Sequence, residues 1–156
     1  MCQTDMVSIL VGPPGLSAQD QPAFRWSLQS YLELHSGLGA ARLARQHARR
    51  VTLDWGLTSL ADDAELAVSE LVTNAVIAPR PLAGPDTIVL ALLADRRRLV
   101  IEAWDHSPGD PRPCQPEQDS ERGRGLAVVR ALTHRSGWDR VAPALKVVWC
   151  ELLIES

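Results

Sequence analysis

Two apolar runs of strand length, separated by four charged residues, constrain this chain more than any other feature. Residues 87–94 (Thr-Ile-Val-Leu-Ala-Leu-Leu-Ala) are almost continuously apolar, which is typical of a buried strand. Residues 99–104 form the second run, and residues 95–98 (Asp-Arg-Arg-Arg) separate the two. Because a short polar link between strand-like runs is a hairpin signal, we predict a buried antiparallel pair here.

Two helices are predicted before this hairpin. Residues 40–55 have a helical composition, with Leu43, His47 and Val51 recurring every four residues. In the second helix four apolar residues recur at helical spacing: Ala64, Val68, Leu71 and Ala75. Ser59 with Asp62 approximates a capping box at its start, and Thr58 is the alternative cap.

The remaining segments complete an α+β pattern. We predict a strand over residues 24–35, interrupted by a bulge, a proline-rich loop over 106–122, a helix over 125–133 and closing strands over 138–141 and 146–154. Helices among hairpin-connected strands indicate a two-layer sandwich, with the helices packed on one face of a mainly antiparallel sheet.

Composition bounds the domain count and the kind of partner. The 156 residues suit one domain, which we place at 23–156, after a flexible N-terminal extension at 1–22 that is rich in proline, glycine and polar residues. The net charge of −3 argues against a dedicated nucleic-acid binder. Three cysteines without a C-x-x-C pair, and no apolar run near membrane-spanning length, predict a cytoplasmic protein.

A first candidate site motif lies in the second helix. Glu70 and Asn74 are four residues apart, so they share one helix face. The carboxamide oxygen of Asn74 suits magnesium that keeps most of its water and phosphate ligands. The Glu70 carboxylate can accept a hydroxyl proton. A solvated polar face is the alternative interpretation of this pair.

Two further motifs follow the hairpin. Asp105 ends the second apolar run and begins the sequence Asp-His-Ser-Pro-Gly, so its carboxylate can accept an exocyclic amine such as that of adenine, or can serve only as a turn residue. Gly123 and Gly125 precede the next helix, where glycines allow close approach of phosphate and helix N-terminal amides bind anions. A helix preceded by glycines is also common without any ligand.

Taken together, these motifs resemble those of the GHKL ATPase superfamily. Within it the chain looks most like the small anti-sigma regulatory factor serine/threonine kinases and their actinobacterial relatives. Residues 70–76 (Glu-Leu-Val-Thr-Asn-Ala-Val) are similar to the N box, residues 105–109 to the first glycine box and residues 123–126 to the second. Residues 148–152 resemble the closing strand of that family.

The resemblance implies a Bergerat ATP-binding fold with ATP and Mg²⁺ as ligands. In that fold Asp105 would bind the adenine amine, Asn74 would ligate the metal and Glu70 would be the general base. The residues expected to line the nucleotide are Asn74, Asp105, Ser107, Gly109, Arg122, Gly123, Arg124, Gly125 and Leu126. Residues 110–122 would form a lid over the phosphates.

The resemblance also suggests two functions. One is an ATP-dependent kinase that phosphorylates an anti-anti-sigma (STAS-type) partner, binds a sigma factor and so regulates transcription by partner switching. The other is a binding module that sequesters a regulatory protein without phosphotransfer. Homodimerisation is expected from the resemblance, without direct contact with nucleic acid or membrane.

Three positions differ from the family pattern beside the expected site. Ala78 stands where relatives usually have a histidine, and Pro79 follows it, which we expect to disturb the end of the helix that carries Asn74. Val147 stands where we expect a threonine that orders water near adenine. These positions bear on whether phosphotransfer persists.

Overall fold

The computed structural model describes residues 26–110 and 125–155. Within these ranges the chain forms a five-stranded sheet and three α-helices. The strands are β1 (Leu28–His35), β2 (Thr87–Ala94), β3 (Arg98–Asp105), β4 (Arg135–Ala142) and β5 (Leu145–Leu153), and the helices are α1 (Ala40–Asp54), α2 (Ala61–Ile77) and α3 (Gly125–Leu132). The predicted order of elements and the α+β class are confirmed. The proposed extension at 1–22, most of the expected lid and the residues Arg122, Gly123 and Arg124 lie outside the described residues.

The sheet is antiparallel throughout, in the order β1-β2-β3-β5-β4. All three helices pack against it in a matching order: α1 on β1, α2 across β2, β3 and β5, and α3 on β4 and β5. α2 also contacts both of its neighbours. This central helix therefore lies above the strand that ends in Asp105.

Alternation along β3 separates two faces of the sheet. Leu99, Ile101 and Ala103 face the helices and belong to the main core. Val100 lies on the opposite face in a smaller buried cluster with residues of β2, against which Trp26 packs. Asp105 continues the first series, so its side chain lies on the helix side of the sheet.

The β2–β3 hairpin forms as predicted because Asp95 closes its turn. The Asp95 carboxylate oxygen Oδ1 accepts hydrogen bonds from the backbone N–H of Arg97, at 2.7 Å, and of Arg98, at 3.0 Å. Aspartate favours turns because its side chain binds backbone amides a few residues on. The charged link thus sets the register that brings Ile88 opposite Asp105.

Three local expectations differ from the structure. Thr58–Leu60 form a 3₁₀ turn and α2 begins at Ala61, with no side-chain hydrogen bond at its N-cap, so the predicted capping box is wrong. Leu43 is exposed, because α1 buries mainly a stripe of small residues: Ala40, Ala44, Ala48 and Val51. β1 pairs residue for residue with β2, without the predicted bulge.

Candidate functional site

Asp105 is fully buried at the last position of β3. Its Oδ1 accepts the backbone N–H of Ser107 at 2.9 Å, a side-chain hydrogen bond typical of a turn that directly follows a strand. Pro108 follows Ser107 and cannot continue a strand pairing, because it has no backbone N–H. The sequence therefore anchors a buried carboxylate at the point where the strand stops.

Two polar atoms of this turn are buried and lack a hydrogen-bond partner among the described residues. They are Oδ2 of Asp105 and Oγ of Ser107. Buried polar groups in folded proteins are nearly always hydrogen-bonded, so an unpaired carboxylate oxygen and an unpaired hydroxyl two residues apart in one turn indicate a partner that the described residues do not supply. This free acceptor is what an exocyclic amine would need, and Asp105 and Ser107 thus fit a nucleotide base.

Lys146 lies directly opposite Asp105 in the β3–β5 pairing. Its Nζ is 3.8 Å from Asp105 Oδ2 and donates to the carbonyl oxygen of Gly109 at 3.1 Å. The residue is 4% exposed, and this burial lowers the pKa of Lys146, while the nearby Asp105 carboxylate acts in the opposite direction. The sequence analysis did not select this lysine.

Val147, which we expected near adenine, is on the other side of the sheet. It pairs with Trp104 of β3 and Asp139 of β4, whereas Lys146 pairs with Asp105. Because neighbouring residues of a strand point to opposite faces, the residue beside the candidate base site is Lys146. The position beside Asp105, where we expected Val147 in place of a threonine, is therefore occupied by Lys146.

Arg140 is the second cation that holds the turn after β3. It donates from Nη1 to the Ser107 carbonyl oxygen at 3.4 Å and from Nη2 to Asp110 Oδ1 at 2.9 Å. The pairing of β4 with β5 is irregular just after Arg140, between this residue and Ala142. Such irregularities re-aim side chains at the edges of sheets. The β4–β5 hairpin thus clamps the loop that starts at Asp105.

Glu70 and Asn74 lie together on one side of α2, as predicted. Both are half-buried. The opposite side of the helix faces α1, which contacts it through hydrogen bonds from Arg45 to Ser69 and from Arg49 to Glu65. By helical spacing Glu70 and Asn74 point away from α1, and α3 is the helix that contacts α2 from its other side. This brings the pair toward the space between α2 and α3.

The end of α2 is ordered despite the prolines that follow. The helix stops at Ile77, and Ala78 has an extended backbone, as expected for a residue that precedes proline. Arg80 then turns back and donates to the carbonyl oxygen of Ala75. The expected disturbance from Pro79 is thus limited to ending the helix, since Asn74 lies within its regular part.

Two of the glycines expected in the site, Gly109 and Gly125, lie in different kinds of structure: a turn and the start of a helix. Gly109 is exposed and has no positive φ, and a Cβ added there would meet no atom of the described residues within 4 Å. Its observed contribution is the carbonyl oxygen that Lys146 binds. Gly125 is the first residue of α3 and Leu126 the second. The start of this helix is thus where the second glycine box predicted it.

A comparison with protein families agrees with this architecture. Residues 34–151 match the family model described as histidine kinase-like ATPase domain, and the match spans most of the chain. The chain belongs to this family, which is part of the GHKL superfamily, and its fold is that of an ATP-binding domain. A comparison with curated proteins found no match. In the described parts of the chain no helix is long and apolar enough to cross a membrane.

ATPases of this superfamily generally use magnesium, so we ask which side chains of the site could bind it. Among the described residues no three acidic, histidine or cysteine side chains come together around a possible metal position. Magnesium keeps several waters and binds through one or two protein oxygens plus substrate phosphates, so one carboxamide is a sufficient protein ligand. Asn74 fits that requirement.

Proposed function

We propose that this chain is an ATP-dependent serine/threonine protein kinase of the anti-sigma type. Its substrate would be a hydroxyl of an anti-anti-sigma (STAS-type) protein, and binding of a sigma factor would couple the reaction to transcription. The observation that carries the nucleotide part is the buried Oδ2 of Asp105, which has no hydrogen-bond partner among the described residues, as is also true of the buried hydroxyl of Ser107. The observation that supports phosphotransfer is that Glu70 and Asn74, four residues apart in α2, lie on the side of the helix that α3 contacts.

The proposed mechanism assigns one task to each side chain. Asp105 accepts a hydrogen bond from the adenine amino group and so orients the nucleotide. Asn74 would hold Mg²⁺, and the metal would supply positive charge that neutralises the phosphates. Glu70 accepts the proton of the partner's hydroxyl. The hydroxyl oxygen bonds to the γ-phosphorus while the bond between this phosphorus and the β-phosphate oxygen breaks, and ADP is the leaving group.

A second candidate is a partner-binding module that works without nucleotide. The observation in its favour is the ammonium of Lys146, 3.8 Å from Asp105 Oδ2. A nearby counter-charge lowers the cost of burying this carboxylate when no ligand is bound. The chain would then sequester its partner through its surface alone.

Calorimetry with Mg-ATP separates the two candidates. The kinase requires binding by the wild-type chain, with strong loss in Asp105→Asn, because the amide replaces part of the acceptor capacity of the carboxylate. Absence of binding to the wild-type chain at millimolar Mg-ATP would contradict the kinase and support the module.

Transfer of a labelled γ-phosphate to a STAS-domain protein of the same organism tests the catalytic step. Glu70→Gln should keep Mg-ATP affinity within a few-fold and lose transfer by roughly 10²–10⁴-fold, the range typical of general-base removal. Equal transfer rates in the two proteins would contradict the assignment of Glu70. Light scattering of the same samples tests the homodimer that we infer from the family resemblance.

A further inference from the structure

Asp105 and Lys146 lie opposite each other on neighbouring strands and bring a buried hydrogen-bond acceptor and a buried donor close together. Asp105 uses Oδ1 for the Ser107 backbone and leaves Oδ2 without a hydrogen bond within the described chain. An ammonium has three donors, and the one hydrogen bond observed from Lys146 Nζ is to the Gly109 carbonyl oxygen. At 3.8 Å the two charged atoms are too far apart for a direct hydrogen bond, so each retains capacity for a ligand.

An adenine ring presents the complementary pair of groups. Its 6-amino group is a donor, and a ring nitrogen that accepts hydrogen bonds lies next to it on either side, N1 on one edge and N7 on the other. We propose that Lys146 is a base-reading residue, which donates to the ring nitrogen beside the amino group while Asp105 Oδ2 accepts from the amino group itself. The inference rests on the proposed function, because it assumes that adenine binds at Asp105.

Two-point reading of this kind favours adenine over guanine. Guanine has a carbonyl oxygen where adenine has its amino group, so the Asp105 carboxylate would face another acceptor. On the N1 edge the ammonium of Lys146 would also face an N–H donor. A site with buried polar groups rejects a ligand that leaves them unpaired. We therefore expect GTP to bind at least 100-fold more weakly than ATP, roughly the discrimination expected of two mispaired contacts.

A structural role for Lys146 gives a different expectation. If its ammonium only anchors the turn through the Gly109 carbonyl, loss of the side chain weakens every nucleotide by the same factor. A base-reading role makes the loss depend on one atom of the ligand. Arg140 offers a matched comparison, because it also anchors this turn, through Ser107 and Asp110, without an ion pair to Asp105.

The experiment compares Mg-ATP with its 1-deaza and 7-deaza analogues, in which one ring nitrogen is replaced by C–H. Affinities are measured by calorimetry for the 156-residue wild-type chain and its variants Lys146→Met and Arg140→Met. For the wild-type chain one of the two analogues should bind roughly 10- to 100-fold more weakly than ATP, as for loss of one hydrogen bond from a charged donor. In Lys146→Met that difference should disappear, whereas in Arg140→Met it should persist even if all affinities fall.

Each outcome has one meaning. Equal binding of ATP and both analogues by the wild-type chain overturns the base-reading role, and this result does not depend on the folding of any variant. A Lys146→Met protein that keeps the analogue difference overturns it as well. If the wild-type chain binds none of the three nucleotides, it is the proposed nucleotide site at Asp105 that fails, which this design separates from failure of the lysine alone.

Discussion

Arg80 donates from Nη2 to the carbonyl oxygen of Ala75 and so binds the C-terminal turn of α2. Its Nη1 is 3.1 Å from Asp86 Oδ1, just before β2 begins. Carbonyls in the last turn of a helix lack partners within the helix, and a cationic side chain is a favourable one. Arg80 thus ties the end of the helix that carries Asn74 to the end of the sheet that carries Asp105.

Arg80→Met is expected to loosen this connection. The unfolding free energy should fall by about 1–3 kcal/mol, because a charge-assisted hydrogen bond is lost and a helix carbonyl is left without its partner. Mg-ATP affinity should fall as well, since Asn74 lies in the adjacent turn. Urea denaturation and calorimetry measure the two effects.

Arg96→Met is the control for this change. Arg96 is exposed at the tip of the β2–β3 hairpin. Surface substitutions of this type usually change stability by less than about 0.5 kcal/mol. If the two variants had the same stability and affinity, the connection through Arg80 would have no energetic role.

Much of the fold could be predicted because strands and helices have different periodicities in this sequence. The continuous apolar run of β2 reflects its burial on both faces, and the stripe from Ala64 to Ala75 reflects the packing of α2. The start of α2 was missed because Thr58 and Ser59 have the composition of a cap, whereas the chain uses a 3₁₀ turn there. Composition does not distinguish these two uses.

The site could be predicted only where local sequence determines it. Asp105 follows an apolar run and precedes a turn, and Glu70 and Asn74 share a helix face by spacing alone. Which β5 residue lies beside Asp105 depends instead on the register between two strands distant in sequence, and a shift of one residue exchanges the two faces. Lys146 and Val147 are adjacent in sequence, so only the pairing distinguishes them.

A larger residue at Gly137 is expected to destabilise the protein, because Trp149 lies against this glycine. A Cβ built at Gly137 would be 2.9 Å from Cζ2 of Trp149, its cross-strand partner. Gly137→Ala should therefore lower the unfolding free energy by about 1–3 kcal/mol, the usual cost of overpacking. Gly37→Ala is the control, since a Cβ there meets nothing within 4 Å. Equal denaturation midpoints for the two variants would contradict this prediction.

The variant Gly109→Ala tests whether glycine is required here for stability or for nucleotide binding. The added methyl group has no neighbour within 4 Å in the described structure, and the carbonyl that Lys146 binds is unchanged. Thermal unfolding should shift by no more than a few degrees, as for a change below about 0.5 kcal/mol. If the glycine is there to admit a nucleotide, Mg-ATP affinity should nevertheless fall several-fold. A strongly destabilised variant would show that the turn itself requires glycine.

Glu102 should make the stability of the protein depend on pH. It is buried on the sheet face opposite the helices, where Trp104 donates to its Oε2 at 3.0 Å and Oε1 has no partner among the described residues. Burial raises the pKa of the Glu102 carboxyl from 4.5 to about 7, and the hydrogen bond from Trp104 offsets only part of this effect. Between pH 4.5 and about pH 7 the folded state therefore keeps a proton on Glu102 that the unfolded chain has already released.

The direction in which the unfolding free energy changes with pH follows from that difference in bound protons. The stabilising contribution is complete below the unfolded pKa of 4.5 and is lost as the pH rises through the folded pKa of about 7. Over this window the unfolding free energy should decrease by about 3 kcal/mol, at 1.36 kcal/mol for each unit of pKa difference. The glutamine in Glu102→Gln cannot ionise, so this variant should not lose that stability. The unfolding free energy of Glu102→Gln minus that of the wild-type chain should therefore be larger at pH 8 than at pH 5. Urea denaturation at both pH values measures this, with Glu33→Gln, at an exposed position of β1, as the matched control. A difference between wild-type and Glu102→Gln that does not change with pH would contradict the raised pKa.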